Sequence, residues 1–268
     1  MRPVAARFSW LLLAATLLTA PAARAGRSCE THKLTSRALE NGLTMADKTM
    51  KALDASGERV VLLARSGQDL SKYGLRYSHF GFAYQQPDGK GGHQWRVVHK
   101  LNSCGTAEAH IFRQGLGEFF LDDPWRYEAA WVAPMPDIQQ RLLPLLQDDA
   151  SAVLMHHKTY NMVSYPWSGK YQQSNQWVIE TLAAAIEPGV RSRDKAQAWL
   201  QFKGYEPTTL KLGAFERLGA RVTAANVAFD DHPNEKRFSD RIETVTVDSV
   251  FAWMQRAQLG KAPVEIRL

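Results

Sequence analysis

Residues 77–84 read Tyr-Ser-His-Phe-Gly-Phe-Ala-Tyr, and after the glycine-rich turn at 87–92 the chain continues with Trp-Arg-Val-Val-His at 95–99. Strand-like runs on both sides of such a turn are typical of a β-hairpin. His79 and His99 fall on opposite strands of this hairpin, where side chains of one face can meet across the ladder. Paired in this way, one histidine could serve as a general base and the other could orient it. A hairpin with incidental surface histidines is the alternative.

The sequence around the hairpin predicts a mixture of helices and strands. Apolar residues at near-helical spacing predict an amphipathic helix at 36–55 that ends at Gly57. A second clear helix is predicted at 173–186, before Pro188-Gly189. Further strands are predicted at 60–64, 128–132, 153–154 and 242–247, and further helices at 138–147, at 193–202 and from Asp248, as its cap, to 258. This order predicts an α+β fold with an antiparallel sheet and packed helices.

No internal repeat, low-complexity tract or flexible linker divides the chain. The sequence therefore predicts one α+β domain at 26–190. Residues 191–268 are predicted to form a C-terminal α/β extension that packs on this core.

Residues 1–25 have the pattern of a Sec-type signal peptide: arginines near the start, an apolar run, and Ala-Arg-Ala before Gly26. We expect cleavage after Ala25 and a periplasmic or secreted protein. Cleavage would remove three arginines and leave 30 basic against 27 acidic residues. Without a basic cluster, this balance argues against nucleic-acid binding. No later apolar run has membrane-spanning length, so no transmembrane segment is expected after cleavage.

The chain has two cysteines, Cys29 and Cys104. In an oxidising compartment we expect them to form a disulfide with each other. The alternative is that Cys104, which follows a predicted strand, is a catalytic thiol.

The motif at 78–82, together with Arg96-Val97-Val98-His99, resembles the S-H-V-G-I and V-I-H hairpin of the NlpC-type papain-like hydrolases. That resemblance implies that His79 is the base and His99 its orienting partner. The family normally places a catalytic cysteine at the start of a helix before the hairpin, and no cysteine begins a helix there in this chain.

The circularly permuted branch of that superfamily, which includes the lecithin retinol acyltransferase-like and YiiX-like proteins, has its nucleophile helix after the sheet. Its motif is similar to K-F-Y-C-S-E-L-V, and residues 170–178 read Lys-Tyr-Gln-Gln-Ser-Asn-Gln-Trp-Val, with Ser174 at the place of the cysteine. The likeness covers residues 60–186. Taken whole, the chain most resembles a family of secreted bacterial proteins described only as a domain of unknown function.

Ser174 has two interpretations. As a nucleophile it would need His79 Nε2 within hydrogen-bonding reach and donors for the developing oxyanion, part of which a helix N-terminus supplies. As an N-cap it would only satisfy a free backbone N–H group.

The resemblance implies hydrolysis of an amide or acyl bond, with a cell-wall peptide as the first substrate and a lipid acyl group as the second. The rival hypothesis is a catalytically inactive envelope protein that binds a peptide or a protein partner in the same groove. No cofactor motif is present, and His156-His157 lacks the ligand spacing of a metal site. We therefore expect neither a cofactor nor a metal.

Overall fold

The computed structural model describes residues 34–122 and 124–268. The predicted signal peptide and Cys29 lie outside the described residues, so the cleavage site and the disulfide stay predictions. Among the helices described, none is both long and apolar enough to cross a membrane.

The described residues form an antiparallel sheet of six strands. Its strands are β1 (Val60–Ser66), β2 (His79–Pro87), β3 (His93–Asn102), β4 (Ala109–Gly115), β5 (Arg126–Val132) and β8 (Val264–Arg267), in the spatial order β4-β3-β2-β1-β5-β8. β6 (Thr208–Lys211) and β7 (Arg241–Thr244) form a separate antiparallel pair. β2 and β3 are the predicted hairpin, and β1 and β5 were also predicted, whereas β4 was not.

Helices flank this sheet. They are α1 (Ser36–Ser56), α2 (Leu116–Phe120), α3 (Pro136–Gln147), α4 (Asp149–Ala152), α5 (Ser174–Ile186), α6 (Arg193–Phe202), α7 (Ala214–Thr223), α8 (Asn234–Arg237) and α9 (Val247–Arg256). α1 begins after Thr35, whose hydroxyl accepts from Ala38 N at 3.1 Å, and ends at Gly57, whose positive φ of 72° closes it.

The two faces of the sheet carry different helices because strand residues alternate between them. Phe80 and Phe82 of β2 belong to the larger core with α3, α5, α6 and α9, where the rings of Phe82 and Trp177 lie 5.8 Å apart. Ala83 of β2 points the other way, into a smaller core with Phe119 of α2 and with α1. His79 therefore shares the face of α1 and α2, and α5 lies on the opposite face.

Residues 191–268 contribute to the same core. α6 and α9 bury apolar side chains in the larger cluster, and β8 pairs with β5 at the edge of the main sheet. β6, β7 and α7 surround a small apolar cluster of their own.

Two local predictions were wrong. Residues 153–154 lie in a turn after α4 and not in a strand, because four residues of helix carry the chain directly into that turn. The last helix is capped by Thr246, whose hydroxyl accepts from Ser249 N at 3.1 Å, and not by Asp248.

Candidate functional site

The structure brings the two hairpin histidines together. His79 is the first residue of β2, and His79 Nε2 lies 2.8 Å from His99 Nδ1 of β3. Both rings also lie against Phe119, at 6.1 and 5.4 Å between centroids. The histidine pair therefore packs against α2, on the face of the sheet that α1 and α2 cover.

Gly81, two residues after His79, makes the close approach of the two histidines possible. β2 and β3 pair in register from Phe82 with Val98, and beyond that pair Gly81 passes directly beside His99. A Cβ atom on Gly81 would lie 2.7 Å from both His99 Cβ and Val98 O, which is closer than packed atoms come. The Ser-His-Phe-Gly pattern therefore has a steric reason.

A third side chain continues the chain of hydrogen bonds. His99 Nε2 lies 2.8 Å from Gln114 Oε1 of β4. Because Oε1 can only accept, His99 must donate its Nε2–H to Gln114, and its Nδ1 is then an acceptor for His79 Nε2–H. The pattern assigns the basic lone pair of a neutral His79 ring to Nδ1, not to the Nε2 that the sequence analysis assumed.

His99 is suited to hold this arrangement because it stays neutral. Its side chain is fully buried, and burial lowers its pKa to about 4, with the nearby Arg65 charge acting in the same direction. Arg65 is held in place by Phe119 O and by the carboxylate of Asp122. A neutral His99 keeps its Nδ1 available to accept from His79 at ordinary pH.

His79 lines a large cleft at the end of the sheet, with a volume of about 1760 Å³. The cleft also reaches the start of α5, the β6–β7 pair, α7 and the start of α1. This volume exceeds the roughly 300–1,000 Å³ of ordinary small-molecule pockets. A group bound in the cleft can reach His79, which is the member of the histidine pair that lines it.

Ser174 lines the same cleft but does not hydrogen-bond His79 among the contacts of the described residues. It is the first residue of α5, and Gln173 is the N-cap, so the N-cap interpretation of Ser174 is wrong by one position. Its side chain lies near the hydroxyl of the buried Tyr160, whose pKa is raised by burial. α5 covers the opposite face of the sheet from His79, and both Ser174 and His79 line the cleft.

Asn175 marks the place where the two faces meet. Its Nδ2 reaches Ser78 O at 3.5 Å and Val245 O at 3.4 Å, and both contacts are long. Its Oδ1 is buried and has no hydrogen-bond partner among the described residues. A buried acceptor without a donor is costly, so a ligand that donates an N–H or O–H here would be stabilised.

A buried polar network fixes the segment that leads into α5. Lys100 of β3 is fully buried and donates to His157 O, Gln172 O and Gln172 Oε1 at 2.6–2.9 Å. Burial lowers the pKa of Lys100 to about 7. Gln172 also donates to Glu180, which pairs with Arg193. This network ties α5 to the sheet.

The other sequence candidates lie apart from the histidine pair. His157 contacts Lys170 O, and the ring of His156 lies 6.4 Å from that of His110. No three His, Cys, Asp or Glu side chains within 34–122 and 124–268 are grouped as metal ligands. Cys104 lies in the turn between β3 and β4 and lines the cleft.

Sequence reasoning missed Gln114 and Asn175. Gln114 lies on the unpredicted β4, so nothing placed it beside the hairpin. Asn175 was quoted beside Ser174, but only the fold shows that its acceptor is buried without a partner.

Fold and site together define an α+β protein in which His79, at the wall of a cleft, is hydrogen-bonded to the buried His99. The chain belongs to a family of uncharacterized proteins conserved in bacteria (DUF2145), whose model matches residues 52–254. No curated protein and no solved structure matches the chain. These comparisons make no link to the NlpC-type or YiiX-like proteins.

Proposed function

We propose that this protein is a hydrolase of amide or acyl bonds in the cell envelope, with His79 as its general base. The hydrogen-bonded chain His79–His99–Gln114 at the wall of the cleft carries this proposal. A base needs a fixed tautomer and access to substrate, and this arrangement offers both. The envelope location rests on the signal-peptide pattern of residues 1–25.

In this reaction His79 Nδ1 accepts the proton of an attacking hydroxyl, while Nε2–H stays donated to His99. His79 then returns that proton to the leaving amine or alcohol. General-base catalysis of this kind contributes about 10²–10⁴-fold in rate. His99 and Gln114 are positioning residues, since they act on the ring of His79 and not on the substrate.

Two attacking groups fit the cleft. The permuted papain-like resemblance favours Ser174, at the N-terminus of a helix that follows the sheet. The positions of α5 and His79 on opposite faces favour a water molecule next to His79. In either case the substrate lies across the end of β2, where Asn175 can accept a hydrogen bond from it.

The second candidate is an inactive envelope protein that binds a peptide or partner in this cleft. The position of Ser174 near Tyr160 favours it, because an activated serine lies within hydrogen-bonding reach of its base.

The test combines a fluorophosphonate probe with hydrolysis of muropeptides and acyl esters by purified mature protein. His79→Ala and Ser174→Ala are compared with the matched variants His93→Ala and Ser168→Ala, which lie outside the cleft lining. If His79→Ala and Ser174→Ala lose both labelling and hydrolysis while the two control variants keep them, the protein is a serine hydrolase. Hydrolysis that needs His79 but survives Ser174→Ala, without labelling, establishes attack by water. Folded protein that neither reacts nor hydrolyses either substrate class overturns the proposal in favour of binding.

A further inference from the structure

The cleft has two chemically different ends. His79, Asn175, Ser174 and Tyr160 form a polar end beside the sheet. Away from it, part of the wall is formed by the apolar cluster between β6, β7 and the loop after β1, namely Leu75, Val163, Leu210, Leu212, Val227 and Phe229. A ligand that fills the whole cleft is therefore amphiphilic.

Most polar side chains along the wall already bond to one another. Gln173 Nε2 donates to Thr244 Oγ1 and to Val245 O, and Asn226 Nδ2 donates to Asn102 Oδ1 at 2.8 Å. Because these groups are satisfied within the protein, they offer little to a peptide backbone, which needs a partner for each buried N–H and C=O. Asn175 Oδ1, at the polar end, is the acceptor left without a partner among the described residues.

α7 forms part of the wall of the cleft. None of its residues is buried, and Lys72 and Glu216 form an ion pair that joins it to the loop after β1. Phe215 lines the cleft and yet is 90% exposed, while Ala220 packs towards the apolar cluster. An apolar occupant would cover the ring of Phe215 and remove that surface from water.

We propose that this cleft binds a long acyl chain, with the polar head of the same molecule at His79. This inference rests on the proposed function and narrows its substrate class to acyl esters or amides of lipids, not cell-wall peptides. The size of the cleft, its apolar lining and the mutual pairing of its polar groups all favour a chain of methylene groups.

Binding is measured with cis-parinaric acid, a fluorescent long-chain fatty acid, at monomeric concentrations and with palmitate as competitor. Ala220→Trp and Thr223→Trp place an indole in the lining of the cleft. Val222→Trp is the matched control, since this residue is 78% exposed and does not line the cleft. We expect the two lining variants to weaken binding about tenfold or more and the control to bind like the wild type. Thermal melts test whether each variant is folded. Thr223 is exposed, so we expect Thr223→Trp to leave the packing of the core unchanged.

A second arm identifies the source of the chain. Transfer of a fluorescent phospholipid out of phosphatidylglycerol–phosphatidylcholine vesicles by the wild type, but not by Ala220→Trp, supports a membrane lipid. Binding of the free acid without such transfer supports a free fatty acyl group. Absence of saturable binding, or equal binding by Ala220→Trp, Thr223→Trp and the wild type, overturns the inference.

The two proposals fail in different ways. Ala220→Trp is expected to weaken parinaric acid binding and the hydrolysis of long-chain esters together, whereas His79→Ala is judged by loss of hydrolysis alone. Muropeptide hydrolysis without acyl binding would leave the proposed function standing and remove the acyl chain from it. Acyl binding without any hydrolysis would support the acyl-chain site and overturn the proposed hydrolase function.

Discussion

Gly81 and His99 lie so close that hydrogen is the only side chain that Gly81 can carry without displacing its neighbours. A Cβ atom there would come within 2.7 Å of His99 Cβ and of Val98 O. The approach of β2 and β3 at this point is what lets His79 reach His99.

Gly81→Ala should therefore disturb both stability and the histidine pair. Overpacking of this kind costs about 1–3 kcal/mol of unfolding free energy. Urea unfolding measures the loss, and loss of the proposed hydrolysis reports on His79. Gly117→Ala is the control, because a Cβ there meets nothing closer than Leu43 Cδ2 at 3.7 Å. Equal stability of the two variants would contradict the steric argument.

Gln114→Leu should leave His99 buried and remove the acceptor that fixes its tautomer. Losing this partner removes part of the roughly 10²–10⁴-fold that a positioned base contributes, so we expect hydrolysis to fall within that limit with little change in KM. Gln114→Glu keeps an acceptor in place and should restore most of the activity, with a changed pH profile. The ¹⁵N chemical shifts of the His79 and His99 rings, measured by NMR, report the tautomer of each ring. An unchanged tautomer in Gln114→Leu would show that Gln114 does not set it.

The pKa of His99 predicts an acid-sensitive stability. The folded value is about 4 against an ordinary 6.5, so the unfolded chain takes up the proton first as the pH falls. The contribution of His99 is complete above pH 6.5 and is lost as the pH falls towards 4, and it amounts to about 3 kcal/mol. Urea unfolding across this range should show a shallower pH dependence in His99→Gln. His156, whose pKa is also lowered to about 4, titrates in both proteins and cancels in the comparison. If the wild type and His99→Gln have the same pH dependence of unfolding free energy, the lowered pKa of His99 is contradicted.

Cys29 and Cys104 are expected to be joined. Peptide mapping of unreduced protein should find them in one linked fragment. Removing the bridge by Cys104→Ser should cost about 2–5 kcal/mol of unfolding free energy. Alkylation of both thiols without prior reduction would rule the bridge out.

The elements with strong local patterns could be predicted from the sequence. The hairpin, α1 and α5 carry clear alternation or helical spacing over many residues, and they were found close to their observed bounds. β6 and β7 have four residues each and pair across about 30 residues of intervening chain, so no local pattern identifies them as partners. β4 begins soon after the turn that holds Cys104 and exposes part of its length, which obscures its alternation.

The histidine pair and Ser174 of the candidate site could be identified from the sequence, whereas Gln114, Asn175 and the geometry could not. The pairing of His79 with His99 follows from strand register, which a hairpin motif suggests. Ser174 was placed beside His79 by resemblance to a motif, whereas alternation along β2 puts His79 and α5 on opposite faces of the sheet. Which face a helix covers depends on the path of the whole chain, and no motif of nine residues contains that information.

The ion pair between Lys72 and Glu216 makes the strength of the contact between α7 and the loop after β1 depend on the salt concentration. Both side chains are well exposed, at 67% and 44%, so dissolved ions screen their attraction. This contact between α7 and the loop after β1 is therefore strongest in dilute buffer and weakest in concentrated salt.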